Sequence, residues 1–387
     1  MSGWGEGLLR WPQCLLDMLY TLSELLPYAP WSVFQYTTFR SAGAAITALL
    51  FSWFLGPSVI AWLRRLKLRQ DYPDKAEDSS FLHRNTGKQG TPTMGGLLIV
   101  LALDLSVLLW ARWNHFVLLT VLTLVVLAGL GFYDDWLKVT RQTNAGARSY
   151  LKLTVQGILA VVVAGYLWSR PSTRALIGDI NIPFLKKAFM TGVPALGFLV
   201  TALAIVGSSN AVNLTDGMDG LAIGCTLICA SVFFIFTYIA GHAQFARYLL
   251  VPAVPGAGEL AVICAAMIGA SLGFLWFNCH PAEIFMGDTG SLALGGALGV
   301  MAVMIHQPFI LPIAGGVFVA EATSVMLQIG WFKFTRRKYG VGRRIFRMSP
   351  LHHHFRELGW SESKIVARFY IVAILCALAA VSTLKLR

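Results

Sequence analysis

Ten stretches of predominantly apolar residues alternate along the chain with more polar segments. Most come close to the roughly 20 residues that a helix needs to cross the hydrocarbon core of a bilayer. No soluble domain interrupts them, and we see no internal repeat. The pattern therefore predicts an all-α, polytopic membrane protein with about ten transmembrane helices. The stretches lie near 41–63, 95–112, 116–133, 151–168, 193–209, 218–240, 259–277, 289–306, 310–332 and 364–384.

We expect a single membrane-embedded domain over 21–387, preceded by an N-terminal extension at 1–20. The extension carries Glu6, Arg10 and Asp17 among its apolar positions, which is a poor match to a signal peptide, so we expect it to be retained. The polar loops of the domain lie near 64–94, 134–150, 210–217, 278–288 and 333–363.

The composition agrees with a membrane protein. Hydrophobic residues make up 56% of the 387 residues and charged residues only 13%, with a mean hydropathy of +0.64. Soluble domains carry about 25% charged residues. The net charge of +12 does not indicate nucleic-acid binding, because the basic residues lie between apolar stretches. The six cysteines form no CxxC pair, so we predict neither disulfides nor a metal site from them.

The distribution of Lys and Arg predicts the orientation. Three loops that fall on one side of the membrane, at 64–94, 134–152 and 333–368, hold 21 of the 31 basic residues. Loops rich in Lys and Arg face the cytoplasm. We therefore expect these loops on the cytoplasmic side and both termini outside.

Carboxylates, amides and basic groups gather in the loops of this side. Ionisable groups at membrane ends cost free energy unless they are paired or hydrated, so their convergence predicts a polar cavity. These residues are Lys88, Thr93, Asp134, Asp135, Lys138, Asn210, Asn213, Asp216, Asp219, Asn278, Glu283, Asp288, His352, His353 and His354.

Single members of this set have structural alternatives. Asp288 could cap the helix that follows it, and the histidines could form a solvated basic loop. Glu321 lies inside an apolar stretch, where we expect it to pack between helices. Several carboxylates and amides on one side nevertheless indicate a hard-cation site. Basic groups beside it suit phosphate oxygens, and together these parts indicate phosphoryl transfer. No Walker motif supports an ATPase.

Five segments in sequence resemble the phospho-N-acetylmuramoyl-pentapeptide transferase family, one of the polyprenyl-phosphate N-acetylhexosamine-1-phosphate transferases. The resemblance runs from about Pro30 to the C-terminus. PLHHHF is the part that separates the family from relatives using N-acetylglucosamine substrates. The segments are KQGTPTMGG (88–96), GFYDDWLK (131–138), NAVNLTDGMDGLA (210–222), FNCHPAEIFMGDTGSLALGG (277–296) and PLHHHFRELGW (350–360).

The resemblance implies a Mg²⁺-dependent enzyme of peptidoglycan synthesis. Such an enzyme moves phospho-MurNAc-pentapeptide from UDP-MurNAc-pentapeptide to undecaprenyl phosphate, which releases UMP and forms lipid I. The resemblance also implies the bacterial cytoplasmic (inner) membrane, contact with membrane lipid and no nucleic acid, and it leaves a homodimer open.

The resemblance also implies roles for individual residues. Asp288 would be the magnesium ligand, Asp134 a base or phosphate-orienting acid, Asp135 its partner, and His352 a further catalytic group. The substrate-binding residues would be Lys88, Thr93, Lys138, Lys152, Asn210, Asp216, Asp219, Asn278, Phe285, His353 and His354.

Two other functions stay open from the residues alone. One is a related transferase that acts on UDP-N-acetylglucosamine. The other is a membrane transporter with an acid-lined cavity, which would require repeated halves and discontinuous spans at mid-membrane depth. The acidic residues lie instead at one predicted surface, which favours catalysis.

Overall fold

The computed structural model describes residues 19–20, 31–66, 91–141, 146–185 and 188–385. Within these ranges the chain forms helices and no strand, and an isolated bridge joins Ile180 to Met190. The long helices are α1 (Thr37–Arg65), α2 (Gly96–Trp110), α3 (His115–Arg141), α4 (Ser149–Ser169), α5 (Pro194–Thr215), α6 (Leu221–Gly241), α7 (Glu259–Asn278), α8 (Gly287–Met304), α9 (Gly316–Tyr339) and α10 (Glu362–Ser382). Shorter helices lie at Trp31–Gln35, Arg174–Gly178, Ala243–Leu249, Ile310–Ala314 and Leu351–Glu357.

The all-helical membrane architecture is confirmed. Eight of the long helices are long and apolar enough to cross a bilayer. The other two are α2, which has only 15 residues, and α9, which carries Glu321 and ends in a basic run. Each of the ten predicted stretches falls on one of these helices, although the ninth is divided at Gly315 between a short helix and α9.

Three predicted loop boundaries are wrong in the same direction. Helix α3 continues to Arg141 and α5 to Thr215, so residues 134–141 and 210–215 are helical. Helix α9 likewise runs past 332 to Tyr339. A helix does not have to end where its apolar run ends: Asp134 and Asp135 on α3 and Thr215 on α5 are buried, whereas the last turns of α9 are mostly exposed. The N-terminal extension lies outside the described residues apart from 19–20.

Helix α8 forms the centre of the bundle. Of its 18 residues, 94% are buried, against 22% of the corresponding stretch of α10. Small residues allow its neighbours to approach closely: a Cβ atom on Gly96 of α2 would lie 2.0 Å from the backbone nitrogen of Gly290, and one on Gly131 of α3 would lie 2.2 Å from the backbone oxygen of Asp288. Both positions therefore require glycine. These contacts bring the end of α3 against the first turn of α8.

The peripheral helices present apolar faces outwards. Only 28% of the apolar stretch of α1 is buried, and large side chains such as Phe54 on α1 and Ile371 on α10 are exposed. Exposed apolar faces of this extent are expected of helices that contact lipid.

Candidate active site

Three buried carboxylates meet where α3 ends and α8 begins. Asp134 and Asp135 lie on the last two turns of α3, and Asp288 lies on the first turn of α8. One oxygen from each side chain lies within 4.8 Å of the others, and all three residues are buried. We call these three residues the acid cluster. Carboxylates buried this deeply repel one another unless cations compensate them.

Two lysines supply that compensation. Nζ of Lys138, one turn beyond Asp134 on α3, lies 2.7 Å from Asp134 Oδ2 and 3.0 Å from Asp288 Oδ1. Nζ of Lys152, on the first turn of α4, lies 2.8 Å from Asp134 Oδ1 and 2.6 Å from Asp288 Oδ2. Two ammonium groups against three carboxylates leave one negative charge in excess.

Asp135 is fixed by the start of α8. Its Oδ2 accepts hydrogen bonds from the backbone nitrogen of Thr289 (3.1 Å) and from the Thr289 hydroxyl (2.9 Å), and its Oδ1 accepts a longer one from the backbone nitrogen of Asp288 (3.3 Å). The carboxylate thus caps a neighbouring helix, where the helix dipole favours a negative charge. These bonds make Asp135 the most constrained member of the cluster.

Asp134 is enclosed by the segment before α4. Its Oδ1 accepts a hydrogen bond from the backbone nitrogen of Ala147 at 2.7 Å. A Cβ atom on Gly146 would lie 2.4 Å from the same oxygen, so only glycine fits there. Backbone that is packed this tightly excludes water from one side of the carboxylate.

The end of α5 adds an amide and a fourth carboxyl group. Asn213 Nδ2 donates to Asp288 Oδ1 at 2.9 Å, and the backbone nitrogen of Gly287 donates to Asp216 Oδ2 at 3.2 Å. Burial and the nearby charges of Asp288 and Asp135 raise the pKa of the Asp216 carboxyl to about 8, although part of this residue remains accessible to solvent. Asp216 therefore carries a proton for much of the time near neutral pH.

Thr93 and Phe285 line the same end of the bundle. The Thr93 side chain is buried, and its Oγ1 would lie 3.0 Å from a Cβ atom on Gly287, beside Asp135. The backbone nitrogen of Phe285 donates to the Pro92 oxygen at 2.9 Å. These contacts hold the segment before α2 against the segment before α8. Lys88 lies outside the described residues.

The three histidines differ in their surroundings. His352 is fully buried: its Nδ1 lies 3.2 Å from Glu321 Oε1, and its Nε2 would lie 2.2 Å from a Cβ atom on Gly217, next to Asp216. The ring of His353 packs against that of His352, with 4.2 Å between centroids. His354 Nδ1 accepts a hydrogen bond from the backbone nitrogen of Arg347 at 3.1 Å.

Three predicted site residues bond parts of the protein other than the acid cluster. Asn210 Nδ2 donates to Gln156 Oε1 at 2.8 Å, and Asn278 Nδ2 donates to the Ile284 oxygen at 2.8 Å. Asp219 Oδ2 lies 2.9 Å from His280 Nδ1, and the Asp219 backbone nitrogen donates to Glu362 Oε1 at 2.9 Å. Asp219, His280 and Glu362 form a second group close enough to share a metal ion, and this group is more exposed than the acid cluster.

Comparison with known proteins assigns the chain to a family. The Glycosyl transferase family 4 profile matches residues 117–306, and phospho-N-acetylmuramoyl-pentapeptide-transferase signature 1 matches residues 88–100. Two curated proteins named phospho-N-acetylmuramoyl-pentapeptide-transferase are similar along almost their whole length. That of Methylacidiphilum infernorum (isolate V4) is 49% identical over 361 residues, covering 92% of this chain and 96% of its own. That of Opitutus terrae is 48% identical over 372 residues, covering 96% of this chain and 100% of its own.

The chain belongs to the phospho-N-acetylmuramoyl-pentapeptide transferase family. The resemblance that the sequence suggested is confirmed. The family signature at 88–100 includes Thr93 and Gly96, which contact the segment around Gly287 and Gly290. In this family member the described part of the signature, residues 91–100, therefore lies against the first turn of α8.

The sequence does not reveal the contacts of three residues near the site. Asn213 belongs to the predicted polar cavity, and its place on α5 one helical turn before Asp216 indicates that the two residues share a face. Thr289 directly follows Asp288 and bonds Asp135, a contact between helices that no sequence spacing reveals. Glu321 was expected to be a packing residue, yet its carboxylate contacts His352, which lies 31 residues along the chain.

Proposed function

We propose that this chain transfers phospho-MurNAc-pentapeptide from UDP-MurNAc-pentapeptide to undecaprenyl phosphate, releasing UMP and forming lipid I. The observation that carries the proposal is the acid cluster, with its two lysines, in a chain whose full-length relatives bear the name phospho-N-acetylmuramoyl-pentapeptide-transferase. Phosphoryl transfer requires little covalent chemistry from a protein and much positioning and charge neutralisation, which these side chains can supply.

The acid cluster fits Mg²⁺. Its donors are hard carboxylate oxygens, close enough together to share one ion, and they carry one negative charge more than their lysines balance. Mg²⁺ prefers one or two carboxylates and completes its shell with water and phosphate oxygens. Asp288 would be the principal ligand and Asp134 the second, because Asp135 already accepts three hydrogen bonds from α8. A bound Mg²⁺ would neutralise charge on the diphosphate and its leaving group.

The remaining groups of the site would bind and orient the substrates. Lys138 and Lys152 would contact phosphate oxygens, which ammonium groups bind strongly. The acceptor phosphate is already anionic near neutral pH, so Asp134 would orient it more than remove a proton from it. The enclosure of Asp134 by Gly146 and Ala147 supports such an orienting role.

The nucleotide-sugar pocket would lie between the acid cluster and the histidines. Thr93, Asp216 and His352 would border that space, and the partly buried Phe285 would add its ring. Asn210, Asn278 and Asp219 would act through the backbone and side chains that they hold in place. His353, His354 and Lys88 would contact the sugar-peptide portion or the diphosphate.

The reaction would take place at the cytoplasmic face of the bacterial inner membrane. The basic loops near 64–94, 134–152 and 333–368 support that orientation, with all ten long helices crossing the bilayer and both termini outside. The acceptor phosphate would lie at headgroup depth, where a soluble nucleotide sugar can also reach. The proposal includes contact with membrane lipid and allows a homodimer.

A coupled assay of the purified protein tests this function. We expect UMP release from UDP-MurNAc-pentapeptide only when undecaprenyl phosphate and Mg²⁺ are both present. UDP-N-acetylglucosamine in place of the peptide substrate should release none. UMP release with UDP-N-acetylglucosamine but not with UDP-MurNAc-pentapeptide would assign the chain to the related transferases. Absence of UMP release with either nucleotide sugar would contradict an enzyme of this class.

A further inference from the structure

The two lysines of the site lie among the same oxygens that fit a cation. Nζ of Lys138 lies within 3.0 Å of oxygens of Asp134 and Asp288 and 3.6 Å from Asp135 Oδ1. Nζ of Lys152 lies within 2.8 Å of oxygens of Asp134 and Asp288. The ammonium groups therefore occupy the space between the carboxylates that a divalent cation would share.

Each carboxylate oxygen of the acid cluster contacts a donor from the protein. For Asp135 these donors include backbone and hydroxyl groups of α8, which the helix itself holds in place. Asp134 Oδ2 and Asp288 Oδ2 instead contact lysine ammonium groups. Lysine side chains end on flexible four-carbon stems and move more easily than a helix start. A cation that coordinates Asp134 and Asp288 would therefore displace lysine contacts first.

We propose that Lys138 and Lys152 compete with the divalent cation for Asp134 and Asp288, and that cation binding frees their ammonium groups to contact substrate phosphate. The inference rests on the proposed function, since that function supplies the cation and the phosphates. Repulsion between like charges a few ångströms apart in a buried site is large enough to drive the exchange. The lysines thus compensate the charge of the carboxylates while no metal ion is bound. Once a metal ion binds, the lysines contact the diphosphate.

A binding experiment on the purified protein without substrate tests the competition. Mn²⁺ affinity is measured by electron paramagnetic resonance for wild type, Lys152→Met and Lys138→Met. Loss of either lysine should tighten Mn²⁺ binding by about tenfold or more, because it removes a competing charge. Lys333→Met removes the same charge from an exposed position on α9, outside the acid cluster, and should leave affinity unchanged.

A second measurement needs no substitution and so does not depend on the folding of the variants. Amine labelling of the wild-type protein, read by mass spectrometry, should increase at Lys138 and Lys152 when Mg²⁺ is added. Labelling of Lys333 should stay constant. Both site lysines are mostly buried, with 16% and 19% of their side-chain surface exposed, so release would be visible.

The outcomes separate this inference from the proposed function. Weaker or unchanged Mn²⁺ binding in both lysine variants, or labelling that Mg²⁺ does not change, would overturn the competition while the transferase assay still succeeds. Tighter Mn²⁺ binding in the lysine variants supports the competition even if the coupled UMP-release assay fails. Absence of Mn²⁺ binding in wild type and in both variants would overturn the competition and the metal assignment together.

Discussion

Two groups of buried charges lie at opposite ends of the helix bundle, and they differ in charge balance. At one end, the guanidinium of Arg40 on α1 contacts both carboxylate oxygens of Glu259 on α7, one of them at 2.7 Å. The Arg112 backbone nitrogen donates to the same carboxylate at 2.9 Å. At the other end, the acid cluster brings three carboxylates to two lysines. The first group is neutral, whereas the second keeps a negative charge.

This difference in charge balance distinguishes a structural ion pair from a functional site. A bidentate Arg–carboxylate pair satisfies both partners and ties two helices together. An excess of buried negative charge costs stability and is retained where a bound cation compensates it. We therefore expect substitutions at the acid cluster to reduce turnover and substitutions at the Arg40–Glu259 pair to reduce stability.

The largest expected effect is that of Asp288→Asn. Losing the proposed principal metal ligand would remove several kcal/mol of charge stabilisation, so the rate of UMP release should fall by about 10³-fold or more. The apparent melting temperature should not fall, because the substitution removes the excess negative charge. Near-normal turnover of this variant at the same Mg²⁺ concentration would contradict the metal assignment.

The next effect tests the close approach of α3 and α8. Gly131→Ala would place a methyl group 2.2 Å from the Asp288 backbone oxygen and force the acid cluster apart. Misplacement by about 1 Å can cost on the order of 10²-fold in rate, so we expect a loss of that size in UMP release. The matched control is Gly129→Ala, two residues earlier on α3, where an added Cβ meets nothing within 4 Å. Equal rates for the two variants would contradict the requirement for this contact.

The two ends differ also in how far the sequence predicted them. Long apolar runs made the helices and their order predictable. The five motifs predicted that Asp134, Asp135 and Asp288 lie at one site. The contacts that hold these residues could not be predicted in the same way. Thr289 bonds Asp135 between two helices, and Glu321 contacts His352, which lies 31 residues along the chain. Both contacts depend on how the helices pack, which the spacing of residues along the chain does not predict.

Helix ends were the least predictable feature. Apolar periodicity placed the end of α3 at 133, although the helix continues to Arg141 with Asp134, Asp135 and Lys138 on its last turns. The charged residues that follow the apolar run of α3 are helical, and groups on other helices compensate their charges. The same cause explains the extension of α5 to Thr215.

Glu259→Gln tests the neutral end. Breaking a buried pair by removing one charge costs about 3 kcal/mol of stability, because the arginine stays buried without its counter-ion. The apparent melting temperature in detergent should fall clearly, whereas the rate of UMP release per folded molecule should match wild type. A large loss of turnover without loss of stability would show that the two ends are not separate in function.

The smallest effect concerns Glu321. Its carboxylate accepts a hydrogen bond from the backbone N–H of His352 and lies 3.2 Å from Nδ1 of the same residue, so it helps to hold the imidazole in place. Glu321→Gln retains an oxygen acceptor and should slow UMP release only a few-fold, whereas Glu321→Ala should slow it about tenfold. If the two variants were equally slow, the effect would not arise from the contact with His352.

An experimental structure with Mn²⁺, located by anomalous scattering, tests the central claim most directly. The account predicts one strong peak about 2.2 Å from an Asp288 carboxylate oxygen, beside Asp134, with the Lys152 ammonium moved away from it. A peak at the Asp219–His280–Glu362 group with none at the acid cluster would contradict the account.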